Sequence, residues 1–279
     1  MTDYKIIDIT IAGLLAIVPA LFWGYIFYKK QPENKITSLH LFLSGALAVA
    51  PLLLYKYLWQ YFPWINAFLY TNTFKDDAIG FANVNIIPVT VLATFMVVGI
   101  IEEVAKFAAV KIIHHKKMNS ITDAIEFFII VALGFSFAEN IIYFYNIMQV
   151  RGADNIFLPF IFRSLFSTFA HVMFSGILGF YYGLALFAEP VLKESYNRDK
   201  WPVLRKIASI FHLDRIKIFQ DGQITQGLII AVLLHALFNI FLEMNWTFLI
   251  IPFLTGGFIL LSYLFENRRV DKEYVEVDG

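Results

Sequence analysis

An all-α polytopic transmembrane helix bundle of about seven spans, N-terminus outside and C-terminus inside, is the fold class this sequence predicts, on three observations. Of 279 residues, 59% are hydrophobic and 18% aromatic while only 16% are charged, outside the composition of water-soluble domains. Apolar runs of about 20 residues, each long enough to cross ~30 Å of hydrocarbon as a helix, recur along most of the chain. Lys and Arg are spread unevenly between those runs, as expected when alternate loops face the cytoplasm.

The spans fall at about residues 6–28, 37–55, 86–111, 121–148, 156–187, 224–242 and 246–266. The first is a retained helix rather than a signal peptide, because Asp3 and Lys5 make a poor basic leader and the apolar stretch continues to Tyr28. Segment 57–85, with Trp59, Tyr61, Phe62, Trp64 and Tyr70, is interrupted by Pro63 and by Asp76 and Asp77. It reads as an aromatic interfacial lip on the outer side. Residues 1–85 thus form an N-terminal part with two spans. Residues 86–266 form a membrane domain of five spans with a basic cytoplasmic loop at 188–223, and 267–279 form a charged cytoplasmic tail. Within the loop, Val203 to Phe219 sets Ile207, Ile210 and Phe211 on one helical face and Arg205, Lys206, Arg215 and Lys217 elsewhere. That pattern suits a helix lying on an anionic leaflet, with a solvated loop as the alternative.

The N-out arrangement places sixteen Lys and Arg inside and four outside, with Lys106 and Arg163 within spans. A bacterial inner (cytoplasmic) membrane obeys this rule. Lys plus Arg equals Asp plus Glu at 22 each, so no basic excess marks a nucleic-acid binder. With no cysteine in the chain, disulfides, thiolate metal sites and a cysteine nucleophile are excluded.

Charges inside the spans carry the functional information. Glu102, Glu103, Lys106, Glu139 and Arg163 all fall within apolar runs. Unpaired, five such groups would cost on the order of 10 kcal/mol, comparable to the stability of a whole protein. They must therefore meet in the bundle interior. Glu102 and Lys106, spaced i, i+4, are expected to pair, with Glu103 turned about 100° away toward another neighbour. Arg163, Ser167, His171, Ser175, Gly179 and Gly183 follow at steps of four, a polar and small-residue stripe that must face inward. The last two form a GxxxG that reads as a packing seam. His235 and Asn239 repeat the i, i+4 spacing, and Glu139 is flanked by Asn140. Buried ion pairs that merely hold helices together are the bland alternative, yet apolar packing would serve that role at lower cost. His114 and His115, among Lys111, Lys116 and Lys117, read as a solvated basic helix end, and Asp123 and Glu126 as complements to a helix dipole.

Hydrolysis inside a membrane needs an activated water or serine. No His is followed by Glu, which excludes an H-E-x-x-H zinc site, and no Asp lies deep in a span, which excludes an aspartyl pair. Ser167 and Ser175 share a face with His171, but no G-x-S-x-G turn is present. A glutamate-based site remains. A proton-coupled transporter would also place Glu, His and Arg at mid-membrane, but the two related, Gly- or Pro-interrupted halves it predicts are missing. A catalytically inactive scaffold for single-span partners is the third reading.

Four blocks, Glu102-Glu103-Val-Ala-Lys106, Gly134-Phe-Ser-Phe-Ala-Glu139-Asn140, Arg163 with His171 eight residues later, and His235-Ala-Leu-Phe-Asn239, stand on four successive spans. In order and spacing they resemble the PrsW family of intramembrane proteases, which is similar in turn to the CAAX prenyl endopeptidases and bacterial ABI membrane proteins. The resemblance covers about 88–242. It implies an endopeptidase that cuts a single-span membrane protein, such as an anti-sigma factor, within or near the bilayer. The roles that follow are water activation by Glu102 or Glu103, proton sharing by His171 and oxyanion stabilisation by His235 with Asn239. Glu139 orients a histidine, and Lys106, Asn140 and Arg163 support the site. A metal-free site is favoured, because Lys106 one turn from Glu102 balances a carboxylate and repels a dication. The alternative is Zn²⁺ held by Glu103, His171 and His235. The partners implied are the substrate and the lipid bilayer, not nucleic acid.

Overall fold

The structure, a computed structural model, describes residues 2–28, 35–71, 73, 77–81, 84–113, 118–187 and 215–266. His114, His115, His212, most of the basic loop and the charged tail lie outside these residues. The end of that loop does not: helix begins at Arg215, so residues 215–223 extend the span predicted from 224.

Ten α-helices are described. They are α1 (Thr2–Tyr28), α2 (Lys35–Leu47), α3 (Ala50–Leu58), α4 (Ala67–Thr71), α5 (Val89–Ile113), α6 (Ile121–Arg151), α7 (Phe157–Phe162), α8 (Thr168–Phe187), α9 (Arg215–Glu243) and α10 (Ile250–Glu266). A small antiparallel hairpin, β1 (Ala78–Phe81) with β2 (Val84–Pro88), precedes α5. Among the described residues six helical segments are long and apolar enough to cross a membrane. α5, with 25 residues, is the seventh predicted span, and it is set apart by three charged residues close together, Glu102, Glu103 and Lys106.

Local sequence explains the joints. The second span is broken into α2 and α3 where Pro51 enters the first turn of α3, a position that tolerates the missing N–H. α6 starts at Ser120, whose side chain accepts from Asp123 N at 3.0 Å, while Asp123 Oδ2 accepts from Asn119 N at 2.9 Å. The reciprocal bonds satisfy donors that a helix start leaves open. It ends at Gly152, whose φ of 82° is one that only glycine adopts freely. The aromatic lip folds back on α3: Tyr55 Oη donates to Ile65 O at 2.9 Å and accepts from Ala67 N at 2.7 Å.

α8 is the core helix, buried without a break from Thr168 to Gly179. It packs on α6 at Gly179 and Gly183, where an added Cβ would lie 2.8 Å from the Cα of Ile125 and of Ile121. The GxxxG is therefore a seam. α2 crosses α6 still more closely, Gly134 lying on the backbone of Phe42 and Gly45 on that of Val131. Gly134→Val should consequently drive these helices apart, a cost of about 3 kcal/mol or more when backbone cannot yield. Immunoblots of membranes should register sharply lowered protein. Large apolar side chains such as Leu14 and Leu21 on α1 and Ile251 and Ile259 on α10 stay exposed, as faces toward lipid tails do.

Candidate active site

α5, α6, α8, α9 and the turn before α8 carry the predicted groups; Glu102, Glu103, Lys106, Asn140, His171 and His235 are buried, Glu103 and Lys106 at 0% exposure, while Glu139, Arg163 and Asn239 are half-buried. Two carboxylates organise the cluster. Glu103 Oε1 accepts from Lys106 Nζ at 2.6 Å and meets His235 Nδ1 at 2.8 Å. Glu139 Oε2 meets Arg163 Nη2 at 2.8 Å and His171 Nε2 at 2.9 Å. Lys106 Nζ links the two halves, 3.1 Å from His171 Nδ1 and 4.7 Å from the centre of the Phe135 ring.

The expected Glu102–Lys106 pair is thus corrected: Lys106 pairs with Glu103, at i, i+3. Both spacings put side chains side by side on a helix. The choice falls to tertiary partners, since from its place beside Glu103 the ammonium also reaches His171 on α8.

Hydrogen-bond chemistry fixes the neutral rings. An ammonium only donates, so His171 Nδ1 accepts from Lys106 and Nε2 carries the hydrogen directed at Glu139. A carboxylate only accepts, so His235 Nδ1 carries the hydrogen directed at Glu103 and Nε2 presents a lone pair. That lone pair faces Glu102 Oε2 at 3.6 Å. Glu102 Oε2 is buried and has no hydrogen-bond partner among the described residues. With a neutral ring these are two acceptors facing each other, which calls for a proton on one of them or for a donor or cation beside them.

A network missed by sequence reasoning supports Arg163. Its Nε donates to Asn140 Oδ1 at 2.5 Å, and its guanidinium lies 4.5 Å from the centre of the Tyr143 ring. Thr168 Oγ1 accepts from Ser136 at 3.0 Å and Asn140 at 3.2 Å and donates to Arg163 O at 2.9 Å, which uses its full capacity. Ser and Thr in an apolar run carry no signal of their own; only the spacing of Ser136 and Asn140, one turn apart on α6, hinted at it. Asn239 is half-buried, a turn beyond His235, and hydrogen-bonded to no described side chain of the cluster.

Glu102, His171 and His235 offer ligand atoms that all lie within 4.8 Å of one another. The set differs from the expected Glu103, His171 and His235: Glu103 Oε1 is held by Lys106 and His235, and Glu102 in place of Glu103 groups with the two histidines. N and O donors of this kind suit Zn²⁺. The orphaned Glu102 Oε2, and a His235 braced from behind by a carboxylate, fit that use; His171 would give up one of its two hydrogen bonds. Of the charge argument for a metal-free site, the balancing half moves to Glu103, the carboxylate that Lys106 pairs with, while its ammonium, 3.1 Å from His171 Nδ1, still opposes a dication.

The fold and site define a class: an integral membrane protein with a buried glutamate and histidine cluster shared among four helices. Residues 33–265 match the model described as PrsW family intramembrane metalloprotease, and the chain belongs to that family of intramembrane proteases. The match takes in α2, α3 and α10, which the motif resemblance did not cover. The chain is 24% identical over 253 residues to Protease PrsW of Oceanobacillus iheyensis, covering 88% of this chain and 91% of that protein. It is 26% identical over 179 residues to Protease PrsW of Geobacillus kaustophilus, covering 63% and 66%. No solved structure matches the chain.

Proposed function

We propose that this protein hydrolyses a peptide bond of a single-span membrane protein, of the anti-sigma-factor kind, using a water activated by Glu102. One observation carries the assignment. Among the described residues Glu102 is the carboxylate of the cluster with no lysine or arginine partner, and it faces Nε2 of His235 at 3.6 Å. A water beside this pair donates to Glu102, which takes its proton as the oxygen attacks the scissile carbonyl; the C–N bond then breaks as Glu102 returns that proton to the leaving amine nitrogen. Glu103 holds the His235 ring in register, and Glu139 does the same for His171. Asn239, one turn beyond His235 on α9, is the proposed amide donor for the oxyanion. The sixteen-to-four charge split supports N-out and C-in placement in a bacterial cytoplasmic membrane, with residues 86–266 as the catalytic domain.

A Zn²⁺ would be held by Glu102, His171 and His235, and when bound it supplies Lewis-acid polarisation of the carbonyl and a more acidic water. Glu102 has two oxygens, so holding a cation through one leaves the other to accept a proton. Elemental analysis of purified protein should find about one Zn²⁺ per chain, lost in Glu102→Gln and in His235→Ala, with chelator-sensitive cleavage restored by Zn²⁺. Active protein that is metal-free and indifferent to a strong chelator would remove the metal from the account and leave Glu102 as the unaided base.

A further inference from the structure

Residues Arg163–Ser167 form a π turn inside the continuous helical stretch from Phe157 to Phe187. On an unbroken α-helix, two residues eight apart point about 80° away from each other. A π turn absorbs one extra residue, which reduces that angle to about 20°. Arg163 and His171 are such a pair, and both reach the same atom, Glu139 Oε2. The wide turn is what lets one carboxylate hold both.

A π turn disturbs the regular ladder, so a backbone carbonyl there can be left to a side-chain donor. Arg163 O keeps a backbone donor, Thr168 N, and Thr168 Oγ1 adds a second. Ser164 O accepts from the indole Nε1 of Trp23 at 2.7 Å. Thr168 belongs to the polar network already described. Trp23 comes from α1, ahead of the family-matched residues 33–265. Its ring stacks on Phe169, with centroids 4.8 Å apart and planes at 26°. α1 is seated on α6 through Ala12 and Ala16, packed with Phe144 and Met148.

We infer that Trp23 is a positioning residue: by holding the carbonyl of Ser164 it stabilises the π turn, and so aims Arg163 and His171 together at Glu139. The first helix is thereby a working part of the site. The kinetic half of the test rests on the proposed protease reading; the structural half does not. Trp23→Phe keeps a ring against Phe169 and removes the N–H; Trp23→Tyr serves where the Phe variant fails to accumulate. If the π turn relaxes, α7 rotates by about 100° relative to α8. Single cysteines at Ile161, 37% exposed, and at Phe160, packed on Phe144, report that rotation in a chain with no native cysteine. In purified full-length protein the variant should change the ratio of maleimide labelling at these two positions several-fold. It should also lower kcat by about 10- to 100-fold with KM unchanged, as small misplacements of catalytic groups do. An unchanged labelling ratio overturns the inference whether or not any substrate has been cleaved. A changed ratio with wild-type kcat overturns it as well. A changed ratio in a protein whose wild type cleaves nothing would support Trp23 holding the turn and count against the protease reading.

Discussion

Glu102→Gln should leave the protein in the membrane at its normal level and lower peptide-bond cleavage by about 10² to 10⁴-fold, the usual loss when a general base is removed. The expectation of normal folding comes from the site itself. Glu102 holds no lysine or arginine, and its Oε2 has no hydrogen bond to lose. An amide is close in size and leaves no buried charge unpaired. A general base has no neutral substitute, so activity is the quantity that moves. Cleavage and immunoblot level, measured on the same membranes, separate the two effects. A variant that disappears from the membrane would make Glu102 a structural residue.

Glu103→Gln should behave differently, although its residue is the next in the chain. Glu103 is the counter-ion of a fully buried ammonium and also braces His235. Removing one partner of a buried pair costs about 3 to 5 kcal/mol, because the other charge is left without compensation. The protein level should fall together with activity. Replacing both partners, as in Glu103→Met with Lys106→Met, removes the stranded charge, and burying apolar groups in place of an ion pair is often neutral or better. Protein level should therefore recover in the double variant while cleavage does not. A single Glu103→Gln that accumulates normally would contradict the ion-pair assignment, and a double variant that regains activity would detach Glu103 from His235.

The contrast between these neighbours marks how far the sequence could be read. Glu102, Glu103, Lys106, Glu139, Arg163, His171 and His235 were all legible because a charged or imidazole group inside an apolar run is expensive and stands out. Which carboxylate Lys106 chooses was not legible, since i, i+3 and i, i+4 are equally adjacent on a helix and His171 on another helix decides. The π turn has no signature in sequence. Arg163, Ser167 and His171 read as steps of four, but that count drifts by about 40° a step and would have carried Arg163 off the face of His171. Thr168 and Trp23, which satisfy carbonyls of that turn, are ordinary residues for a membrane helix and become informative only when their hydrogen bonds are seen. Seven spans were expected from apolarity; six described helical segments meet that test, and the seventh expected span, α5, is the one whose interior charges include Glu102.

The central claim is that Glu102 activates the water that cuts a membrane-spanning substrate. Co-expression with a panel of tagged single-span bacterial membrane proteins tests it most directly, comparing wild type with Glu102→Gln at matched protein level. The account predicts a shortened, tagged product with wild type and none with the variant. The same product appearing at the same rate from Glu102→Gln would contradict it.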